Sequence, residues 1–298
     1  MKTISVTKVK QVLKSDYSEF KVKSIKPLKG GWDNFVFEIN KGYIFRFPKK
    51  DEFNLNKEIE VLKYLKDKIT LEIPNYEFVG KKIKYVGYKK IIGDSLTPEV
   101  ILSLNKKESL ALAKSIAVFF YEFHEALPIR LIKKFNLKKD GETWRPLIIR
   151  KYLLNTIKDS SLLAFIKLAL KEYQILRRQE LKFIIAFNDL HGDNIAYDRK
   201  NKNIVGVFDF SDVAVENIDR EFSHLFSTSP SLSIEIINYY QKLSRRKINI
   251  KNVYLNSIIL EASIMAAYNK KSKSDIYKKS LANLIRLKEC PLSKKCCL

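Results

Sequence analysis

The stretch IIAFNDLHGDNIAYD, residues 184–198, decides how the rest of the chain is read. An apolar run ends at Asp189, and Asn194 follows within the same short loop, with His191 and Asp193 between them. Metal ligation, nucleophilic attack, general base action and a plain turn are all open to such a cluster. The neighbouring sequence narrows the choice. FIIAF (183–187), NIAYD (194–198) and IVGVFDF (204–210) are short β-like runs, the last two joined by the polar turn RKNKN (199–203). A hairpin there brings Asp189 and Asn194, before its first strand, next to Asp209 at its far end. Hard-oxygen side chains in that grouping suit Mg²⁺, which binds through one or two carboxylates plus phosphates. A further acid that does not ligate metal can take the proton of an incoming hydroxyl. The combination suits phosphoryl transfer, where positioning and charge neutralisation lower most of the barrier.

Outward from this loop, the chain separates into a β-rich first third and a helix-rich remainder. In residues 20–48, alternation through Phe35-Val36-Phe37-Glu38-Ile39 and Tyr43-Ile44-Phe45-Arg46-Phe47, split by Asn40-Lys41-Gly42, predicts a hairpin. Leu55, Ile59, Leu62 and Leu65 recur at helical spacing and predict a helix over 54–68. Strands are expected near 76–79 and 84–91. Gly93 and Pro98 in IIGDSLTPE (91–99) mark a break, so the chain is divided into an N-lobe at 1–92 and a C-lobe at 93–298. In the second part, helices are expected at 106–126, within 146–181 and across 231–289.

Composition sets outer bounds. The 298 residues are 46% hydrophobic and 12% aromatic, enough for folded interiors in two lobes. No apolar run approaches the roughly 20 residues of a membrane span, and the opening residues lack an apolar signal core, so a cytoplasmic protein is expected. Cys290, Cys296 and Cys297 crowd the last few positions, which excludes a disulfide framework and gives no structural metal spacing; they read as a terminal tail. The net charge of +23 invites nucleic acid or an anionic membrane, but the lysines are spread along the chain, and dispersed solubilising charge is preferred.

FNDLHGDN (187–194) resembles the catalytic loop of the aminoglycoside phosphotransferase family of kinase-like enzymes, whose pattern is H-G-D-L-H-x-x-N. GVFDFSD (206–212) resembles that family's metal-binding I-D-F-G-D segment. The resemblance continues in kinase order: GGWDNFVFEI (30–39) is similar to the turn over the nucleotide phosphates, YIFRFP (43–48) to the next strand and NKEIEVLKYL (56–65) to the glutamate-bearing helix. IPNYEFVG and VGYKKIIGDSL (73–80, 86–96) are similar to the strands and hinge, and FFYEFHEA (119–126) to a helix ending in L-x-x-L-H. The resemblance implies an α+β, bilobal protein-kinase-like fold with a small β-rich N-lobe and a larger, mainly helical C-lobe. It also implies a small-molecule kinase that moves the γ-phosphate of ATP or GTP to a hydroxyl with Mg²⁺.

Residue by residue, Asp189 is then the base or orienter for the acceptor hydroxyl, and Asn194 and Asp209 hold magnesium. Arg46 holds phosphates and pairs with Glu58. Gly30, Gly31 and Asn34 belong to the phosphate turn, and the backbone around Lys89 and Ile91 meets the nucleobase. Several positions depart from the family: Phe187 stands for histidine, Asn188 for glycine, Arg46 for lysine, Ser211 for glycine and Glu221 for aspartate. His191 reads as a packing or substrate-contact residue, Asp193 and Asp212 as caps or supporting ligands, and His124 as a satisfied core histidine. His224 carries no readable signal.

An aminoglycoside is the leading acceptor, with an amino alcohol, sugar or nucleoside-like metabolite as the alternative. The acids available to attract a polycation are sparse: Asp140, Glu142, Asp159, Glu172, Glu235 and Glu261. The departures also motivate a reading as a nucleotide-binding module that has lost turnover.

Overall fold

A computed structural model describes residues 4–28, 34–49, 52–139, 144–178, 182–269 and 274–295. Five strands form one antiparallel sheet in the order β1-β2-β3-β5-β4: β1 Ile25–Leu28, β2 Asn34–Ile39, β3 Tyr43–Pro48, β4 Phe78–Val79 and β5 Val86–Lys89. The expected hairpin is β2–β3, with Ile39 opposite Tyr43. Asn40 and Lys41 both take left-handed backbone, at φ 52° and 56°, and Gly42 N–H returns to Ile39 O at 3.2 Å. Positive φ at both central residues gives the turn the twist that two antiparallel strands need. The Asn40 side chain also accepts from Lys23 N at 2.7 Å, which fixes the entry to β1.

Alternation then divides the sheet's faces. Phe37, Phe45 and Phe47 join Tyr85 in a cluster covered by Val9, Val12 and Leu13 of α1, Val6–Asp16. That helix, capped by Ser5, has no counterpart among the sequence expectations. Ile44 and Arg46 lie on the opposite face, toward α2, Glu52–Leu65, whose Leu55 and Ile59 pack on Val86. The helix expected over 54–68 ends at Leu65, where a turn closes with Lys68 N–H on Leu65 O.

The larger part is helical: α3 Pro98–Ser103, α4 Lys106–Ala126, α5 Trp144–Tyr152, α6 Ser160–Leu176, α7 Ile218–Glu221, α8 Ser223–Thr228, α9 Pro230–Ser244, α10 Ile250–Ala267, α11 Asp275–Glu289 and α12 Pro291–Lys295. α10 is apolar or small on nearly every side and runs through the middle of this part, packed by α5, α6, α7, α8 and α11. α4 starts with a reciprocal cap between Asn105 and Glu108 and packs along α9. The protein is therefore mixed α+β with a small antiparallel sheet part and a larger helical part. Among the described residues no helix is long and apolar enough to cross a membrane.

Two small sheets are set into the helical part. β7, Phe183–Ala186, pairs with β10, Ala214–Asn217, and β8, Ile195–Asp198, lies between β6, Asp94–Ser95, and β9, Asn203–Val207. The β8–β9 hairpin is the one expected, its turn held by Asp198 Oδ1 accepting from Lys200 N and Asn201 N. The run IVGVFDF stops being strand at Val207, because Asp209 takes left-handed backbone at φ 67°. The chain bends there instead of continuing.

Candidate active site

The loop between β7 and β8 carries Asp189 and Asn194. Asn188, at φ 69°, makes the reversal that aims Asp189 out of the strand, a conformation asparagine tolerates better than most residues. Its side-chain amide donates to Asp212 O at 3.1 Å. A 3₁₀ turn over Gly192–Asn194 brings Asn194 back, and its amide nitrogen donates to both the backbone O and Oδ2 of Asp189, each at 2.9 Å. The turn sits tightly against β6: Leu96 N–H bonds Gly192 O, and a Cβ on Gly192 would fall 1.9 Å from Leu96 O. Only glycine fits there. At the far end of the hairpin, Phe208 N–H donates to Asn194 O at 3.0 Å, so both ends of the hairpin are fastened together.

Asp189 is flanked by two histidines. His191 Nε2 lies 3.6 Å from Asp189 Oδ2 and His224 Nε2 lies 3.8 Å from Oδ1. Burial by itself raises the Asp189 carboxyl, but the adjacent His191 and the hydrogen bond from the Asn194 amide outweigh it and hold it below the usual range. The same pairing outweighs burial at His191 and raises it. Burial pushes His224 down to about 3, leaving it neutral near pH 7. His191 is thus in contact with Asp189 and Asn194, beyond mere packing.

Asp209 is held from the sheet side. Its Oδ1 accepts from Arg46 Nη2 at 3.0 Å and from Ser211 Oγ at 2.8 Å. Ser211, where glycine was the family expectation, adds a hydrogen bond. Arg46, only 5% exposed, also donates from Nη1 to Glu58 Oε1 at 2.7 Å and Tyr76 OH at 3.1 Å. Glu58 Oε1 accepts in addition from Phe210 N–H at 3.1 Å. The expected Arg46–Glu58 pair is therefore present and extends to Asp209, tying α2 and β3 to the segment after β9. Lys57 Nζ adds a bond to Val213 O at 2.8 Å.

The residues that could offer oxygens to a cation here are Asn194 and Asp209. Both are oxygen ligands suited to Mg²⁺, and Asn194 spends its amide N–H on Asp189, leaving its carbonyl oxygen for another partner. Among the described residues no group of three or more His, Cys, Asp or Glu forms a self-sufficient metal site. A magnesium ion at these two residues would need further oxygens, such as those of phosphates.

Two departures from the family pattern have structural explanations. Phe187 is fully buried and meets Phe119, Phe123 and Phe210 edge-on, at ring-centroid distances of 5.6, 5.9 and 4.9 Å. Its backbone N–H donates to Glu221 Oε1 at 3.2 Å, so a buried carboxyl from α7 braces the loop. Burial pushes Glu221 up to about 8, against the loop N–H donors that favour its charge. The acid in DREFSHL (219–225) was visible in sequence; its contact with the loop was not. His124 is buried with Nδ1 2.8 Å from Tyr240 OH, but Nε2, 4.0 Å from Glu221 Oε2, has no hydrogen-bond partner among the described residues, so this core histidine is half satisfied.

The remaining expected residues are spread more widely. Gly30 and Gly31 lie outside the described residues. Asn34 opens β2 opposite Pro48. Lys89 ends β5 opposite Tyr43, and Ile91, half-buried, crosses toward β9, where Gly206 leaves room for its side chain. Asp140, Glu142, Cys296 and Cys297 fall outside the described residues. Asp159 caps α6, Glu172 pairs with Lys251 at 3.2 Å, and Glu261, 4% exposed, accepts from Asn283 at 2.9 Å. Glu235 lines a separate crevice on α9 with Asn238, Tyr239 and Lys242.

Comparison with known proteins places this geometry. The model of the phosphotransferase enzyme family matches residues 24–247. A GDP complex of an aminoglycoside 2'-phosphotransferase-IIIa mutant superposes with a TM-score of 0.81 at 21% identity, over 95% of this chain and 97% of that one. A GDP and kanamycin complex from the same group gives 0.78 at 20% identity, over 94% and 98%. A choline/ethanolamine kinase family protein from Mesorhizobium loti gives 0.69 at 14% identity, over 97% of each chain. At these identities the structural likeness speaks for a shared kinase-like fold.

Proposed function

Because the chain belongs to the phosphotransferase enzyme family, and so acts as a small-molecule phosphotransferase, we propose that it moves the γ-phosphate of ATP or GTP to an acceptor hydroxyl with Asp189 as base. One observation carries this reading: Asn194 orients the Asp189 carboxylate while the hairpin that starts at Asn194 leads to Asp209, itself held by the buried Arg46–Glu58 pair. Asp189 accepts the proton of the acceptor hydroxyl. The freed oxygen forms its bond to the γ-phosphorus as the bond to the β–γ bridging oxygen breaks, and the nucleoside diphosphate leaves. Asn194 and Asp209 are the residues that hold Mg²⁺, which when bound neutralises phosphate charge. Arg46 positions phosphate from the sheet side; Gly30, Gly31 and Asn34 form the phosphate turn, and the backbone at Lys89 and Ile91 meets the base. In this reading the lobes divide between residues 92 and 93.

For the acceptor, likeness to a structure that holds kanamycin supports an aminoglycoside. A second reading, a hydroxyl-bearing metabolite, is supported by the pairing or burial of Asp159, Glu172 and Glu261. Labelled ATP and GTP with Mg²⁺ and a panel of aminoglycosides and metabolites test both. Asp189→Ala is expected to lower turnover by at least about 10²-fold; normal turnover by that variant removes Asp189 from its role. Magnesium-dependent stabilisation by nucleotide without transfer to any acceptor supports instead a binding module without turnover.

A further inference from the structure

The helix facing the Asp189 loop carries positive charge. Lys279, Asn283 and Arg286 fall at four- and three-residue spacing along one face of α11. Lys279 Nζ lies 2.9 Å from Oδ2 of Asp193, in the same loop as Asp189. Arg286 Nη1 donates to Ser227 O at 3.3 Å and Asn283 Oδ1 at 2.7 Å. Ser227 lies one turn of α8 beyond His224, the residue 3.8 Å from Asp189 Oδ1, and bonds its carbonyl. Both partners of Arg286 are uncharged, and among the described residues no carboxylate lies within 4.0 Å of this half-buried guanidinium.

Two acids in the same region are already engaged. Asp193 is paired with Lys279, and Glu261 is buried and hydrogen-bonded by Asn283. Glu99, exposed in the first turn of α3, has no ion-pair partner within 4.0 Å among the described residues and lies within electrostatic reach of both Lys279 and Arg286. A polycation arriving here meets two side-chain cations, with Glu99 as the one exposed acid beside them. The long-range field of a chain at +23 acts in the same direction, drawing anions in and repelling polycations.

We infer that the acceptor carries a carboxylate or phosphate in addition to its reactive hydroxyl, and that Arg286, assisted by Lys279, binds that group. This rests on the phosphotransferase reading above and narrows its substrate class. An oxyanion completes Arg286 with charged acceptors in place of carbonyl oxygens, and Arg suits such planar or phosphate groups. Lys279 exchanges Asp193 for the ligand.

The test uses the full chain with Mg²⁺ and ATP or GTP, and four acceptors: gluconate, ribose 5-phosphate, sorbitol and kanamycin. Phosphate transfer to gluconate or ribose 5-phosphate is expected, and the preferred one identifies the carboxylate or the phosphate. Arg286→Gln is expected to raise KM for that acceptor at least about tenfold with kcat little changed, and Lys279→Gln to raise it less. Turnover of kanamycin or sorbitol with neither acid used, or acid turnover indifferent to Arg286→Gln, overturns the inference. If no acceptor is turned over, calorimetric titration of the nucleotide-loaded protein with both acids decides. Binding that Arg286→Gln abolishes supports it, and no binding, or binding that Arg286→Gln leaves unchanged, overturns it. Failure of Mg²⁺-nucleotide itself to bind counts separately, against the phosphotransferase reading.

Discussion

Replacing Arg46 by methionine removes the cation on which β3, α2 and the Asp209 segment converge. The side chain keeps its length and much of its apolar stem, so packing changes little. The electrostatic loss is unequal among its partners. Asp209 loses a 3.0 Å bond, but its side chain is 36% exposed and keeps Ser211, so water replaces most of what is lost, at under about 1 kcal/mol. Glu58 is 1% exposed and has no route to water; stranding a buried carboxylate costs about 3–5 kcal/mol. The expected total is about 4 kcal/mol, a large part of a stability on the order of 5–15 kcal/mol. Urea unfolding of Arg46→Met, Glu58→Gln and the double variant measures it. Glutamine removes the stranded charge while keeping an oxygen for the Phe210 N–H, so the double variant is expected to be more stable than Arg46→Met alone by at least about 2 kcal/mol. An Arg46→Met variant within about 1 kcal/mol of the parent, or a double variant no better than the single, refutes the reasoning.

Other perturbations follow from the same geometry. Phe187→Ala empties a fully buried site among Phe119, Phe123 and Phe210 and is expected to cost about 3–5 kcal/mol, read from the urea midpoint. Glu221 binds its proton more tightly in the folded state than in the unfolded chain. Its share of stability is therefore complete below the unfolded value near 4.5 and is lost as pH rises toward about 8. Glu221→Gln should flatten that fall, and the difference between the two stability curves should reach on the order of 4 kcal/mol across the window; parallel curves contradict the assignment. Gly192→Ala forces the turn of the Asp189 loop away from Leu96, and a stability loss of about 1–3 kcal/mol together with at least a tenfold fall in kcat is expected in unfolding and turnover assays. An alanine variant with unchanged kcat shows that this contact does not position Asp189.

Much of the fold was legible because its signals are local. The β2–β3 alternation, the turn at Asn40-Lys41-Gly42, the α4 boundaries at Lys106 and Ala126 and the β8–β9 hairpin are set by neighbours within a few residues. The β7–β10 pairing escaped because Ile185 and Val215 lie far apart in sequence, and no local pattern records a partner. α1 escaped because its apolar positions among lysines form a helix face only when the sheet's Phe37 and Phe47 are there to cover it. His224 escaped for the same reason: its proximity to Asp189 depends on where α8 docks.

The sequence by itself determined the order and chemistry of the parts: an acid and an amide in one loop, a second acid beyond a hairpin, and a cation and glutamate ahead of them. Residue type and short spacing carry those facts. Tertiary structure decided how the parts are held and what surrounds them. It made Phe187 a packing residue braced through Glu221, extended the Arg46–Glu58 pair to Asp209, set Lys279 against the Asp189 loop and set Arg286 on the turn of α8 beyond His224. Charge and hydrogen bonding depend on distance in space, and these contacts join segments that only the folded chain brings within a few ångströms.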